Sequence, residues 1–158
     1  MKKVIGIIVV LSITAYFSSC KKIYCSTPVI SKVLFYSTIS TYVVPDTTAT
    51  LIKSVKGSHF GQTSEIYPTI NLTKVDFNRS LSFPDKGVDV YDYDWQITLH
   101  PSGRLYQITK ISHQNSTSKT SDCTNTVSYY INDSLVTVPG NPYSSIPNFV
   151  SDIQILYQ

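Results

Sequence analysis

The 158 residues carry 13 Lys and Arg against 10 Asp and Glu, too even a balance for a nucleic-acid binder, which needs a clustered basic face. Twelve tyrosines against two alanines, Ala15 and Ala49, with Thr, Ser, Val and Ile abundant, argue against a helical protein, because β-branched and aromatic side chains suit a pleated surface. The length allows one domain with a real core and is too short for two.

Lys2 and Lys3 precede an uncharged apolar run, Val4 to Phe17, that stops at Ser18, Ser19 and Cys20. That is the anatomy of a signal peptide. The run falls short of the roughly 20 residues that cross a ~30 Å hydrocarbon core, so a permanent transmembrane helix is the weaker reading. Phe17-Ser18-Ser19-Cys20 resembles the lipobox of bacterial lipoproteins, and the Lys21-Lys22 that follows is similar to the looser boxes of Bacteroidota lipoproteins, which accommodate Phe17 where leucine is usual. The resemblance implies cleavage before Cys20, a diacylglycerol on its thiol and an acylated new amino group, and two chains suffice for stable anchoring in membrane lipid. The chain then divides into a leader (1–19), a lipidated cysteine with a short tether (20–25) and a domain (26–158). An ordinary secretory leader cleaved near Ser19 is the competing reading. Lys2 and Lys3 leave with the leader, so 11 basic residues remain against 10 acidic ones.

Thr27-Pro28 opens an apolar run, Val29 to Tyr36, that suits a strand covered on both faces. Ser37 to Val44 continues it or begins its neighbour, and Pro45-Asp46-Thr47-Thr48 signals a turn before a strand over Ala49 to Val55. Gly57 to Ser64 has the composition of a loop. Short strands are expected over Ile66 to Val75 and Arg79 to Phe83, closed by a turn at Pro84-Asp85-Lys86-Gly87.

The strongest local pattern is Asp94 to Lys110, where apolar residues fall on odd numbers before Pro101-Ser102-Gly103-Arg104 and on even numbers after it. A four-residue loop there predicts a hairpin pairing His100 with Leu105, Leu99 with Tyr106 and Ile97 with Ile108 on a core face, with Thr98 and Gln107 on the wet one. A polar loop is expected over Gln114 to Thr124. Asn132-Asp133 predicts a second hairpin between Thr126–Ile131 and Ser134–Val138, and a long irregular connection over Pro139 to Asn148 leads to a last strand with Ile153, Ile155 and Tyr157 on one face. Eight or nine short strands so spaced predict an all-β fold, a single antiparallel β-sandwich of Ig-like or transthyretin-like outline, with a small barrel as runner-up.

The domain as a whole is similar to small Bacteroidota lipoproteins of unknown function, with an early cysteine before Thr-Pro and a second one late in the chain. The resemblance implies a location in the cell envelope and carries no activity with it. Lys21-Lys22 lacks the acidic residues that surface-export signals of that group favour, so the periplasmic side of the outer membrane is expected. In that oxidising compartment, with Cys20 acylated, Cys25 and Cys123 form a candidate disulfide, two separate thiols being the alternative.

Little in the sequence carries chemistry. His59, His100 and His113 lack metal-ligand spacing. Asp85, Asp89, Asp92 and Asp94 concentrate charge that calcium favours, but the calcium-loop pattern is missing and a charged strand face explains them as well. No serine-nucleophile motif, phosphate loop or dinucleotide fingerprint occurs, so no cofactor is expected. Tyr91, Tyr93 and Trp95 at alternate positions either form core or, if exposed as a planar row, stack on sugar rings. Asp46-Thr47-Thr48 and Asp133-Ser134-Leu135 resemble short O-glycosylation sites of exported Bacteroidota proteins. The expected function is therefore a lipid-anchored, non-enzymatic envelope module that binds a protein partner or supports an assembly, with a carbohydrate-binding module as the alternative.

Overall fold

The computed structural model describes residues 27–38, 42–117, 123–139 and 152–157. The leader, Cys20, the tether with Cys25, residues 118–122 and the connection 140–151 lie outside these. Among the described residues ten strands form: β1 (Ile30–Tyr36), β2 (Thr48–Val55), β3 (Thr63–Asn71), β4 (Thr73–Val75), β5 (Asn78–Gly87), β6 (Tyr93–His100), β7 (Leu105–Thr117), β8 (Cys123–Ile131), β9 (Ser134–Pro139) and β10 (Ile153–Leu156). One sheet has the order β10-β1-β5-β4 and the other β3-β2-β6-β7-β8-β9. Neither closes on itself, so the fold is a β-sandwich and not a barrel.

The apolar alternation of the strands points inward. Ile30, Val33, Phe35, Leu81, Ile153 and Ile155 of the smaller sheet meet Leu51, Trp95, Ile97, Leu99, Ile108 and Tyr129 of the larger one, all of them buried. Phe83 lies 4.8 Å from Trp95, and Phe35 lies 5.7 Å from Tyr106, centroid to centroid, which ties the sheets together. The last strand keeps the expected face, since Ile153, Ile155 and Tyr157 are all buried.

Several expectations are corrected. The sandwich is not wholly antiparallel, because β10 runs parallel to β1, with Val33 opposite Ile153. Pro84 to Gly87 is not a turn. β5 runs on to pair Gly87 with Ile30, and the extra residues form a bulge between the pairs Ile30–Gly87 and Lys32–Ser82. The turn falls instead at Val88–Asp92, as a short 3₁₀ segment where alternation had suggested strand. Gln114 to Thr117 and Cys123 to Thr124 are paired strand rather than loop.

The central hairpin keeps its faces and changes its register. Ile97 pairs with Tyr106 and Thr98 with Leu105, a slip of two residues from the sequence expectation. The Leu99 amide donates to the Arg104 carbonyl at 2.8 Å, so the loop is His100–Gly103 and not Pro101–Arg104. Two tertiary contacts hold it there: the Thr47 amide donates to the His100 carbonyl, and the Asp46 carboxylate binds Ser102. Side chains alternate with period two, so a slip of two leaves every one on its predicted face.

Candidate functional site: the two poles of the sandwich

β1 and β6 begin at one end of the sandwich, here the near pole, and finish at the other, the far pole. Across the far pole runs the segment 42–47, held by the Val44 amide donating to the Phe77 carbonyl (3.1 Å) and by the Leu72 amide donating to the Thr47 carbonyl (2.8 Å). Its alternation buries Val44 and Asp46. One Asp46 oxygen accepts the Ser102 amide at 2.8 Å and the other the Ser102 hydroxyl at 2.9 Å. The Asp46 carbonyl also accepts from Arg79 Nε at 3.1 Å. Burial first, and then the hydrogen bond with Asp46, push the Tyr157 hydroxyl above its ordinary pKa. Both carboxylate oxygens are thus occupied by the loop they hold, which makes Asp46 an anchor for loop His100–Gly103 rather than a free base.

Over this buried knot lies an apolar surface. Tyr42, Val43 and Val75 are exposed, and Phe77 is 52 % exposed. Arg104 packs its guanidinium 4.2 Å from the Tyr157 ring centroid, and the Tyr42 ring lies 6.1 Å beyond. Exposed aromatic side chains such as Tyr42 and Phe77 are ones that protein interfaces favour.

The near pole uses the same device with a different finish. Asp94, also buried, accepts the Gly57 amide at 2.7 Å and the Lys110 amide at a longer 3.4 Å. Gly57 and Lys110 both have positive φ, at the β2–β3 turn and at a one-residue bulge in β7. The Lys56 ammonium donates to the carbonyls of Tyr91 (2.7 Å) and Ile111 (3.0 Å), closing the end. Tyr91 donates its hydroxyl to the Pro28 carbonyl at 2.9 Å, and its ring meets His113 edge-on at 5.2 Å. Burial pushes that hydroxyl up to about 12.

The aromatic row is not a platform. Tyr91 sits in the 3₁₀ turn and is buried, Trp95 is wholly buried with Nε1 donating to the Val90 carbonyl, and only Tyr93 is half-exposed, under the Lys53 ammonium. The strand parity that made a row is broken by the turn at Val88–Asp92. Nor do Asp92 and Asp94 share a strand face: Asp92 ends the turn, and Asp94 is buried and consumed by amides. Among the described residues no group of three His, Cys, Asp or Glu could hold a metal. His100 Nε2 lies 2.9 Å from Thr50 Oγ1, whose own proton goes to the Pro68 carbonyl, so Nε2 carries hydrogen and the relay fastens β3 to β2 and β6. Cys123 opens β8 at the near pole, opposite Thr117. Sequence reasoning missed the roles of Asp46 and Asp94, since nothing local distinguishes a carboxylate that seals a loop from one that meets water.

Between the sheets, β8 and β9 on one side and β1 and β10 on the other border a groove of about 510 Å³ lined by Tyr36, Tyr106, Val136, Val138 and Ile155. No family model, curated protein or solved structure matches the chain.

Proposed function

We propose that this chain is a lipid-anchored envelope protein, tethered through Cys20 on the periplasmic side of an outer membrane, whose sandwich is a non-enzymatic binding or assembly module. The observation that carries the non-enzymatic reading is the fate of the buried carboxylates. Asp46 spends both oxygens on the loop it seals, and Asp94 spends its own on the Gly57 turn and the Lys110 bulge, where catalysis needs a group poised over a cleft. The anchor rests on the sequence of Met1 to Cys20. The partner surface in this reading is the far pole, with Tyr42, Val43, Val75 and Phe77. Incorporation of labelled fatty acid into the full chain tests the anchor: Cys20→Ala abolishes the label and releases the protein from membranes, and unchanged labelling overturns the reading.

A disulfide between Cys25 and Cys123 belongs to the same proposal. What supports it is that Thr27 follows Cys25 by two residues and leads into β1 at the pole where β8 begins, the two being linked through Pro28, Tyr91 and His113. Closing so long a loop is worth about 4 to 5 kcal/mol on the chain-entropy model. Alkylation without reduction, followed by mass spectrometry, leaves both cysteines unlabelled if they are joined; labelling at both overturns the bond.

A further inference from the structure

The described sheets have four outer edges, and three of them are blunted against pairing with another chain in the ways proteins commonly use. β3 carries Glu65, Pro68 and two register shifts. β4 is three residues long with Lys74 at its centre. On β10, four residues long, the outward Gln154 amide is already taken by the Tyr129 hydroxyl at 2.9 Å. β9 is the exception: six residues, SLVTVP, without a charge, and with Leu135 59 % exposed.

Its free hydrogen-bonding groups follow from the hairpin. The Asn132 amide donates to the Gln107 carbonyl on β7, so the next residue back, Ile131, faces β9 and pairs with Ser134. Alternation then turns the main-chain groups of Ser134, Val136 and Val138 toward β8 and those of Leu135 and Thr137 outward. Pro139 has no N–H and ends the row, and the Asn132-Asp133 turn closes its other end.

We propose that β9 pairs with β9 of a second copy of this chain, antiparallel about a two-fold axis through Val136. In that register Leu135 faces Thr137 of the partner copy and Thr137 faces Leu135, each pair exchanging two hydrogen bonds, four in all. Registers centred on Leu135 or Thr137 lose bonds to the turn or to Pro139. Nothing charged is brought together, and Val136 packs against its own copy beside the groove walls Val138 and Ile155. The open row is bounded by the turn and by Pro139 and is symmetric about Val136, so a second copy fills it completely with no charge to reject it. The axis stands perpendicular to the sheet, so the two near poles lie at opposite ends of the dimer. The steps from Cys20 to Thr27, at ~3.3 to 3.6 Å each, reach about 25 Å, so both anchors enter one bilayer when the strands lie along it.

The test uses the full chain purified in mild detergent, followed by sedimentation and by amide exchange read by mass spectrometry. The wild type dimerises, and peptides spanning Leu135–Thr137 gain protection as concentration rises. Thr137→Pro removes two of the four bonds and, within the chain, only the long, exposed 3.4 Å contact between its hydroxyl and that of Ser128, and Leu135→Lys places like charges across the axis; each weakens the dimer at least tenfold while far-UV circular dichroism is unchanged. Thr63→Lys, on β3, leaves the dimer intact. A monomer at all concentrations, a dimer that survives both β9 variants, or protection of Leu135–Thr137 that ignores concentration would overturn the proposal.

Discussion

The two poles solve the same problem with the same part and then diverge. At each, a buried aspartate accepts hydrogen bonds from main-chain amides that the sheet ladders leave unpaired: Asp46 from Ser102 in its loop, Asp94 from Gly57 in its turn and Lys110 in its bulge. At the near pole the closure is completed outward, with the Lys56 ammonium and Tyr91 hydroxyl capping carbonyls. At the far pole the polar knot lies beneath, and the surface above it is Tyr42, Val43, Val75 and Phe77. Phe77 stands half in water there beside three other exposed apolar side chains, and that grouping is what sets the far pole apart.

The comparison breaks first at the aspartates. Asp46→Ala removes two short charge-assisted bonds that hold the His100–Gly103 loop, costing about 3 to 5 kcal/mol, whereas Asp94→Ala loses one short bond and one long one, about 2 to 3 kcal/mol. Urea unfolding of the two variants checks the order; equal losses would show the poles to be sealed alike. The next effect sharpens the near pole. Because the folded-state pKa of Tyr91 is raised to about 12, the stability its neutral phenol confers is whole below pH 10 and is lost as pH climbs toward 12, roughly 2 to 3 kcal/mol. Tyr91→Phe gives up about 1 kcal/mol at neutral pH and flattens the alkaline loss. A residual slope remains, since burial also raises Tyr106, Tyr129 and Tyr157. Thermal melts from pH 8 to 12 measure both.

The smallest effect on stability is the most telling about function. Phe77→Ser and Tyr42→Ser change unfolding by no more than about 0.5 kcal/mol, as exposed positions do, and reduce recovery of partner proteins cross-linked to the far pole in native membranes. Unchanged cross-linking would remove the far pole from consideration.

Much of the fold was legible because its signals are local. Period-two alternation assigned the inward faces of Trp95, Ile97, Leu99, Ile108, Ile153 and Ile155, and Asn132-Asp133 announced its hairpin through two residues that tolerate positive φ, as both do here. Irregularity was not legible. The bulge at Lys110 turns both Ile108 and Ile111 inward, which no alternation permits, and it aims the Lys110 amide at Asp94 on the neighbouring strand. The hairpin slipped by two because Asp46, more than fifty residues earlier in the chain, holds Ser102.

By itself, then, the sequence determined the strand composition and the face each alternating residue takes, both written in neighbours a few residues apart. Tertiary structure alone decided the register of β6 on β7, the parallel seat of β10 on β1, the burial of Tyr91, and the place of β9 at an edge of the described sheets. Each of these depends on a hydrogen-bonding group from a distant segment reaching, or failing to reach, an unpaired main-chain atom, and that distance is invisible until the chain has folded.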